Sequence, residues 1–406
     1  MPDSPNRIVV IGGGLAGAKA VEALREKGYE GELTLVADES DLPYERPPLS
    51  KDFLQRKQEF EAAVVHPADW YDEHKIDLRL GVAAMSIDRD AHEVGLADGS
   101  TIGYDKLLLA TGARPRQLRV PGGEALRYLR THRDSEQLRD SFGPDRRVVI
   151  IGAGWIGLES AAAARAAGST VTVIDSAELP LLAVLGPEMA EVYAKLHRDN
   201  GVDLRLGASL REVLVDDDGQ ATGVRLADGT IDADVVLAGI GVAPEDSLAR
   251  LADLRIDNGV LVDGSLRTSD PDIYAVGDVA NQDHPLLGRL RVEHWANALN
   301  QPATAAAAML GDSSAKYEEL PYFFSDQYDT GMEYLGFAPS YDRVVVRGDT
   351  DAREFVTFWL DEERHVRAVM NFNVWDVVDE VRPVILEQRQ VDPDRVADPD
   401  VAWADL

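Results

Sequence analysis

Two glycine triplets carry the chemistry that can be read first. Gly12, Gly14 and Gly17 follow the apolar run Arg7-Ile8-Val9-Val10-Ile11, and Gly152, Gly154 and Gly157 follow Val148-Val149-Ile150-Ile151. At this spacing the first glycine permits a tight turn, the second lets a pyrophosphate approach the backbone, and the third lets the next helix sit close to the strand. Helix N–H groups and the N-terminal dipole can then receive the phosphates, and Leu15 and Ala16 in the first turn and Trp155 and Ile156 in the second are the candidates beside the glycines. Two such turns predict two dinucleotides, one able to pass electrons to the other. The chain has no cysteine, so a redox-active disulfide, a thiol nucleophile and a thiolate metal site are excluded.

A dinucleotide site also needs an acid for the adenosine ribose. In the second half Asp175 stands 18 residues after Gly157, where it is expected to hold both ribose hydroxyls. A 2′-phosphate there would face a carboxylate with no Arg or Lys following closely, so NADH is preferred over NADPH. In the first half the equivalent strand ends at Ala37, and the acids Asp38 and Glu39 come one and two residues late; either is a candidate.

These residues have to be positioned by repeated βαβ units. Arg7–Ile11 reads as a buried strand, Gly12–Gly17 as a turn, Ala18–Lys27 as a helix closed by Gly28, and Glu32–Ala37 as a second strand. The same order returns from Arg147, with helix Leu158–Ala167, Gly168 and strand Thr170–Asp175. The turns Ala97-Asp98-Gly99 and Ala227-Asp228-Gly229 mark small antiparallel sheets, each followed by an apolar run, Tyr104–Ala110 and Ala233–Gly239. Those runs end in backbone-exposing turns, Ala110-Thr111-Gly112 and Gly239-Ile240-Gly241. Ile273–Asp278 reads as a strand running into Gly277-Asp278. From about Pro321 aromatic residues cluster, and Arg343–Arg347, Glu354–Leu360 and Val366–Asn373 read as strands of a separate domain. The acidic tail around Val391–Asp394 and Asp398–Asp400 reads as extended.

The predicted class is therefore α/β: two Rossmann-like dinucleotide-binding domains plus a C-terminal α+β domain. The 406 residues have room for that. A net charge of −31 repels nucleic acid and anionic lipid. No apolar run approaches the ~18–20 residues of a membrane span, and the N-terminus reads as too short for a secretory signal. Together with the missing cysteines this leads to an expected cytoplasmic setting. His66, His74 and His197 have no partner spacing that suggests a metal site, and none is expected.

Three longer segments make a resemblance specific: Leu42-Pro43-Tyr44-Glu45-Arg46-Pro47-Pro48-Leu49-Ser50-Lys51, Arg291-Val292-Glu293-His294-Trp295-Ala296-Asn297-Ala298 and Phe324-Ser325-Asp326-Gln327-Tyr328. Together with the glycine turns they resemble the oxygenase-coupled, putidaredoxin-reductase-like ferredoxin reductases, with apoptosis-inducing factor as a distant relative. The resemblance covers essentially the whole chain. It implies a glutathione-reductase-like arrangement, with an FAD domain from residues 1–112 and 243–320, an NADH domain at 113–242 and a C-terminal domain at 321–406.

It also implies roles. Lys51 would lie beside the flavin near N5, and Glu159 would meet the nicotinamide and pair with that lysine. Arg46, Val82 and Arg130 would help hold FAD. Asp278 would take the ribityl chain, and the backbone of His294 and Trp295 would stabilise charge at the N1–C2=O2 edge from a helix starting near Glu293. His294 is not expected to act as a base, because hydride transfer needs alignment more than proton transfer.

The sequence departs from the family at three places. Phe324 stands where many relatives carry tryptophan, Pro180–Gly186 lacks a common arginine, and Glu245 replaces the usual asparagine. The implied activity is electron transfer from NADH through FAD to a [2Fe-2S] ferredoxin serving a cytochrome P450 or another oxygenase. A small-molecule reductase acting on monodehydroascorbate or a quinone, and a redox-sensing flavoprotein, are the other readings. Ferredoxins are usually acidic, so docking is expected near Arg289 and Arg291 or near Arg114, Arg116 and Arg119. On that expectation Arg291→Glu slows ferredoxin reduction and spares NADH-to-ferricyanide activity.

Overall fold

The computed structural model describes residues 5–406. The chain divides into two compact units. One comprises residues 5–45, 61–114 and 243–322; the other comprises 46–60, 115–242 and 323–406.

The first unit is built on a five-stranded parallel sheet in the order Ile273–Ala275, Lys106–Leu109, Arg7–Ile11, Glu32–Val36, Ile76–Arg79. The central strands are apolar and buried along nearly their whole length, as parallel strands covered on both faces require. The helices Leu15–Glu26 and Trp295–Met309 pack together. The turn Ala97-Asp98-Gly99 joins strands of a three-stranded antiparallel sheet, Ala84–Asp88, Glu93–Leu96 and Thr101–Gly103.

The second unit repeats the pattern. Its parallel sheet runs Asp203–Arg205, Thr170–Ile174, Arg147–Ile151, Val235–Ala238. Its antiparallel sheet is Leu210–Val215, Ala221–Leu226, Thr230–Asp232. The duplication reaches single hydrogen bonds. Gly12 donates to the Val36 carbonyl and Gly152 to that of Ile174, each at 2.8 Å. Arg25 and Arg165, near the ends of equivalent helices, donate to the carbonyls of Tyr29 and Ser169, each at 2.6 Å. The unit also contains a five-stranded sheet in the order Tyr322–Gln327, Thr330–Gly336, Val366–Phe372, Glu354–Leu360, Arg343–Asp349. Trp359, Phe355 and Phe372 from this sheet join Leu158, Leu185 and Tyr193 in one core.

Three expectations are corrected. Both fingerprint helices begin three residues earlier than read, at Leu15 and Trp155, because Gly14 and Gly154 adopt extended N-cap conformations and leave Gly17 and Gly157 inside the helices. The strand through Ile273 stops at Ala275, and Gly277–Val279 is a 3-10 turn. The tail is not extended throughout: Asp392 caps the short helix Pro393–Ala397 by accepting from the Asp394 N–H. Among the described residues no helix is long and apolar enough to cross a membrane.

Candidate functional site

In the first unit, Gly12 sits at φ +122°, and a Cβ there would meet the Ala110 carbonyl oxygen at 2.1 Å. A Cβ on Gly17 would meet the Gly12 oxygen at 1.9 Å, so both positions are closed to any larger residue. Gly14 differs. A Cβ there would meet nothing within 4 Å, and no side chain caps the helix that follows. The result is an open cradle in front of free helix N–H groups, including those of Leu15 and Ala16, which suits a pyrophosphate.

Around this cradle the structure gathers other expected residues. Glu39 is half-buried and accepts from the Tyr44 hydroxyl at 2.6 Å, whereas Asp38 is exposed. Val82 is hydrogen-bonded to the Ala37 carbonyl, and Ala110 to that of Ile11. Thr111 Oγ1 donates to the Glu245 carbonyl at 2.6 Å, and the Glu245 N–H returns a bond to the Gly112 oxygen at 2.9 Å. Burial raises the Glu245 carboxyl, but a hydrogen bond from the Ser247 hydroxyl and the ion pair with Arg114 at 2.6 Å together hold it below the ordinary range. Glu245 thus ties the Thr111 turn to the segment that follows it.

Gly277, at φ +73°, donates to buried Gln301, and the Asp278 carbonyl accepts from Arg291 at 3.1 Å. His294 is the N-cap of the helix Trp295–Met309, which starts two residues later than read. Burial pushes its imidazole down to about 3, so it is neutral and suited to a backbone role rather than to base catalysis. Trp295 is anchored by its indole N–H to Glu45 at 3.0 Å.

The docking expectation at Arg291 fails. Its side chain is 6% exposed and forms an ion pair with Glu293 at 2.6 Å. A guanidinium held inside, bonded to the Asp278 carbonyl, cannot meet an acidic partner. Arg289 is more open but spends two bonds on the carbonyls of Val262 and Asn281. Arg114, Arg116 and Arg119 are exposed.

The second unit has its own cradle. A Cβ on Gly152 would meet Gly239 O at 2.4 Å and one on Gly157 would meet Gly152 O at 2.0 Å, while Gly154 again faces nothing within 4 Å. Asp175 accepts from the N–H of Ala153 at 2.6 Å and of Ala177 at 2.8 Å. Ile156 is exposed on the opening turn, and Trp155 packs edge-on against Tyr193 and Phe323. The turn Gly239-Ile240-Gly241 passes beside it, with the Arg116 N–H bound to Gly241 O.

Within the same unit lies the charged pair. Lys51 Nζ is 2.9 Å from Glu159 Oε1, and both residues are buried. The second carboxylate oxygen accepts from Ser50 at 2.5 Å, and Oε1 also accepts from Ser325 at 2.6 Å. Lys51 Nζ stands 5.5 Å from the centre of the Phe324 ring. Three donors converge on one buried carboxylate, the condition under which a buried charge is tolerated. Arg46 donates to the Arg130 carbonyl at 2.5 Å, and Arg130 precedes a helix with a Thr131–Asp134 capping box. Ser50, Ser325, Glu245 and Arg291 were not singled out as structural contacts from sequence. All four lie in or beside quoted motifs, but nothing in the spacing names their partners.

One group of metal-ligand type also occurs among the described residues, at Asp361, Glu363 and His365, on a turn where Asp361 already faces His365 at 3.2 Å.

Two open phosphate cradles on duplicated βαβ units define a two-dinucleotide oxidoreductase. Residues 6–302 match the family described as pyridine nucleotide-disulphide oxidoreductase, and residues 322–406 match one described as reductase C-terminal. Over 402 residues the chain is 41% identical to the anthranilate 1,2-dioxygenase system ferredoxin–NAD(+) reductase component of Burkholderia cepacia, covering 98% of each. It is 39% identical over 409 residues to putidaredoxin reductase of Pseudomonas putida, covering 99% of this chain and 96% of that one. The crystal structure of the covalent putidaredoxin reductase–putidaredoxin complex matches with a TM-score of 0.95 at 37% identity, covering 99% and 98% of the two chains. The chain belongs to the pyridine nucleotide-disulphide oxidoreductase family and carries the C-terminal domain of its ferredoxin-reductase relatives, without a cysteine of its own.

Proposed function

We infer that this protein is an FAD-containing, NADH-dependent reductase that hands electrons to a [2Fe-2S] ferredoxin serving an oxygenase. The observation that carries the reading is the pair of uncapped helix N-termini behind Gly14 and Gly154, in a chain with no cysteine to take the electrons. Bound FAD supplies the step that nicotinamide cannot: it accepts two electrons as hydride and returns them singly.

The chain's residues bind and align. At the first cradle Leu15 and Ala16 N–H groups take the pyrophosphate, and Glu39, fixed by Tyr44, takes the ribose in preference to solvent-facing Asp38. Asp278 meets the ribityl chain, and the start of the Trp295–Met309 helix stabilises negative charge on the ring. At the second cradle Asp175 holds the NADH ribose. Glu159 meets the nicotinamide, with Lys51 neutralising it. A cytoplasmic setting, where NADH is supplied, fits this chemistry.

Rapid mixing of the yellow holoenzyme with NADH, followed by a two-iron ferredoxin and cytochrome c, tests the reading. Fast bleaching and ferredoxin-dependent cytochrome c reduction are expected. Fast bleaching that no ferredoxin accelerates would transfer the assignment to a small-molecule acceptor.

A further inference from the structure

Glu159 is the end of a longer buried chain. Ser325 Oγ, which donates to Glu159 Oε1 at 2.6 Å, lies 3.1 Å from Gln327 Nε2. Gln327 Oε1 lies 2.8 Å from His197 Nε2, and His197 Nδ1 lies 3.0 Å from the Tyr328 hydroxyl. His197 and Gln327 are 0% and 2% exposed. Ser325 and Gln327 alternate on one face of the strand Tyr322–Gln327, and His197 comes from the helix Leu182–Asp199.

The direction of every bond follows from the carboxylate. Glu159, ion-paired with Lys51, can only accept. Ser325 has one proton and must give it to Glu159, so its oxygen must accept from Gln327. The Gln327 amide nitrogen therefore faces Ser325 and its oxygen faces His197. His197 must then carry its proton on Nε2, which leaves Nδ1 to accept from Tyr328. Reversing the glutamine or the tautomer would set two acceptors or two donors against each other at some link. Burial holds His197 down to about 4, so the imidazole is neutral at assay pH and can be donor and acceptor at once.

We propose that Tyr328, His197, Gln327 and Ser325 are positioning residues that form a one-way donor chain fixing the Glu159 carboxylate for the nicotinamide. The proposal rests on the reading that Glu159 meets that ring. None of the four touches substrate; each acts through the next.

The test uses the 15N-histidine-labelled holoenzyme, with His197 assigned by comparison with His197→Gln. In the wild type the His197 ring is expected as the neutral Nε2–H tautomer. Ser325→Ala removes the last donor and is expected to raise the KM for NADH roughly tenfold or more, the size of one charge-assisted hydrogen bond, with a smaller change in kcat. It should also mix the His197 tautomers, because Gln327 is then free to turn over. Ser325→Thr should restore both. Tyr328→Phe, which keeps the ring, should disturb the tautomer as well. An Nδ1–H tautomer in the wild type overturns the proposal. So does an unchanged KM in Ser325→Ala when the wild type bleaches normally. A wild type that NADH does not reduce would instead bring down the reading of Glu159 itself, and the proposal with it.

Discussion

Asp175 accepts from the backbone N–H groups of Ala153 and Ala177, so one carboxylate steadies the glycine turn and the loop beyond the second strand at once. On the proposal that Asp175 holds the NADH ribose, removing it loosens that seat and lifts the repulsion that a 2′-phosphate would meet. Asp175→Ser should raise the KM for NADH about tenfold while leaving that for NADPH level or lower, a shift of roughly 1.4 kcal/mol in preference. Steady-state kinetics with both nucleotides would show it, and equal losses for both would contradict it. Arg291 carries a different lesson. The sequence places it as a docking arginine before a helix, a position from which Arg291→Glu spares NADH-to-ferricyanide activity. With the guanidinium buried against Glu293 and the Asp278 carbonyl, the substitution sets two acids together beside the Gly277–Val279 turn, which the proposed function places against FAD. The expected outcome is loss of bound FAD and an equal fall in ferricyanide and ferredoxin activity, measured against flavin content. Glu159 and Lys51 were legible only through the resemblance. His197 and Gln327 were not legible, because their contact closes across 130 residues of chain and leaves no local pattern.

At the scale of elements, the strands were the most readable part, since a strand buried on both faces declares itself as an unbroken apolar run. Helix starts were less so. Glycine weakens a helix on propensity alone, yet Gly17 and Gly157 lie inside theirs because only glycine lets the helix approach the preceding turn. The short tail helix was missed for a local reason: Asp392 capping followed by Pro393 builds one turn from residues that otherwise signal loops. The glycines also separate folding from binding. Gly17→Ala and Gly157→Ala drive a methyl into backbone oxygen at 1.9 and 2.0 Å, which no rotamer relieves. These variants should lose on the order of 1–3 kcal/mol or more in the apoprotein. Gly14→Ala and Gly154→Ala meet nothing in the protein and should leave apoprotein melting almost unchanged. The first should release FAD and the second should weaken NADH. Destabilised apoprotein in the latter pair would mean that the cradles are packed, not open.

For the whole molecule the question is which way acid acts on a chain carrying −31 net charges. Protonating surface carboxylates relieves self-repulsion and would favour the folded state as pH falls. Two buried histidines oppose this. His197 titrates at about 4 and His294 at about 3 in the folded protein, against 6.5 ordinarily, both through burial. Between those values and 6.5 the unfolded chain binds the extra protons, so stability rises with pH across that window and is lost as pH falls through it. Full expression of the His197 shift alone corresponds to on the order of 3 kcal/mol. Asp105, Asp234, Glu22 and Glu245, held below the ordinary carboxylate range, add losses of the same sign at lower pH. The surface repulsion is spread over many charges and is screened by salt, whereas the buried histidines are not. In roughly 0.5 M salt, where the Debye length is only a few ångströms, the melting temperature of the holoprotein should therefore fall steadily from neutral pH towards pH ~5. At low salt the fall should be shallower, because relief of repulsion partly offsets it. His197→Gln, whatever it costs at neutral pH, should flatten the high-salt slope, since it removes one proton that the unfolded chain would otherwise take up. A melting temperature that climbs on acidification in high salt would mean that the two imidazoles are hydrated and charged in the folded state, and with a charged His197 the donor chain to Glu159 could not run in one direction.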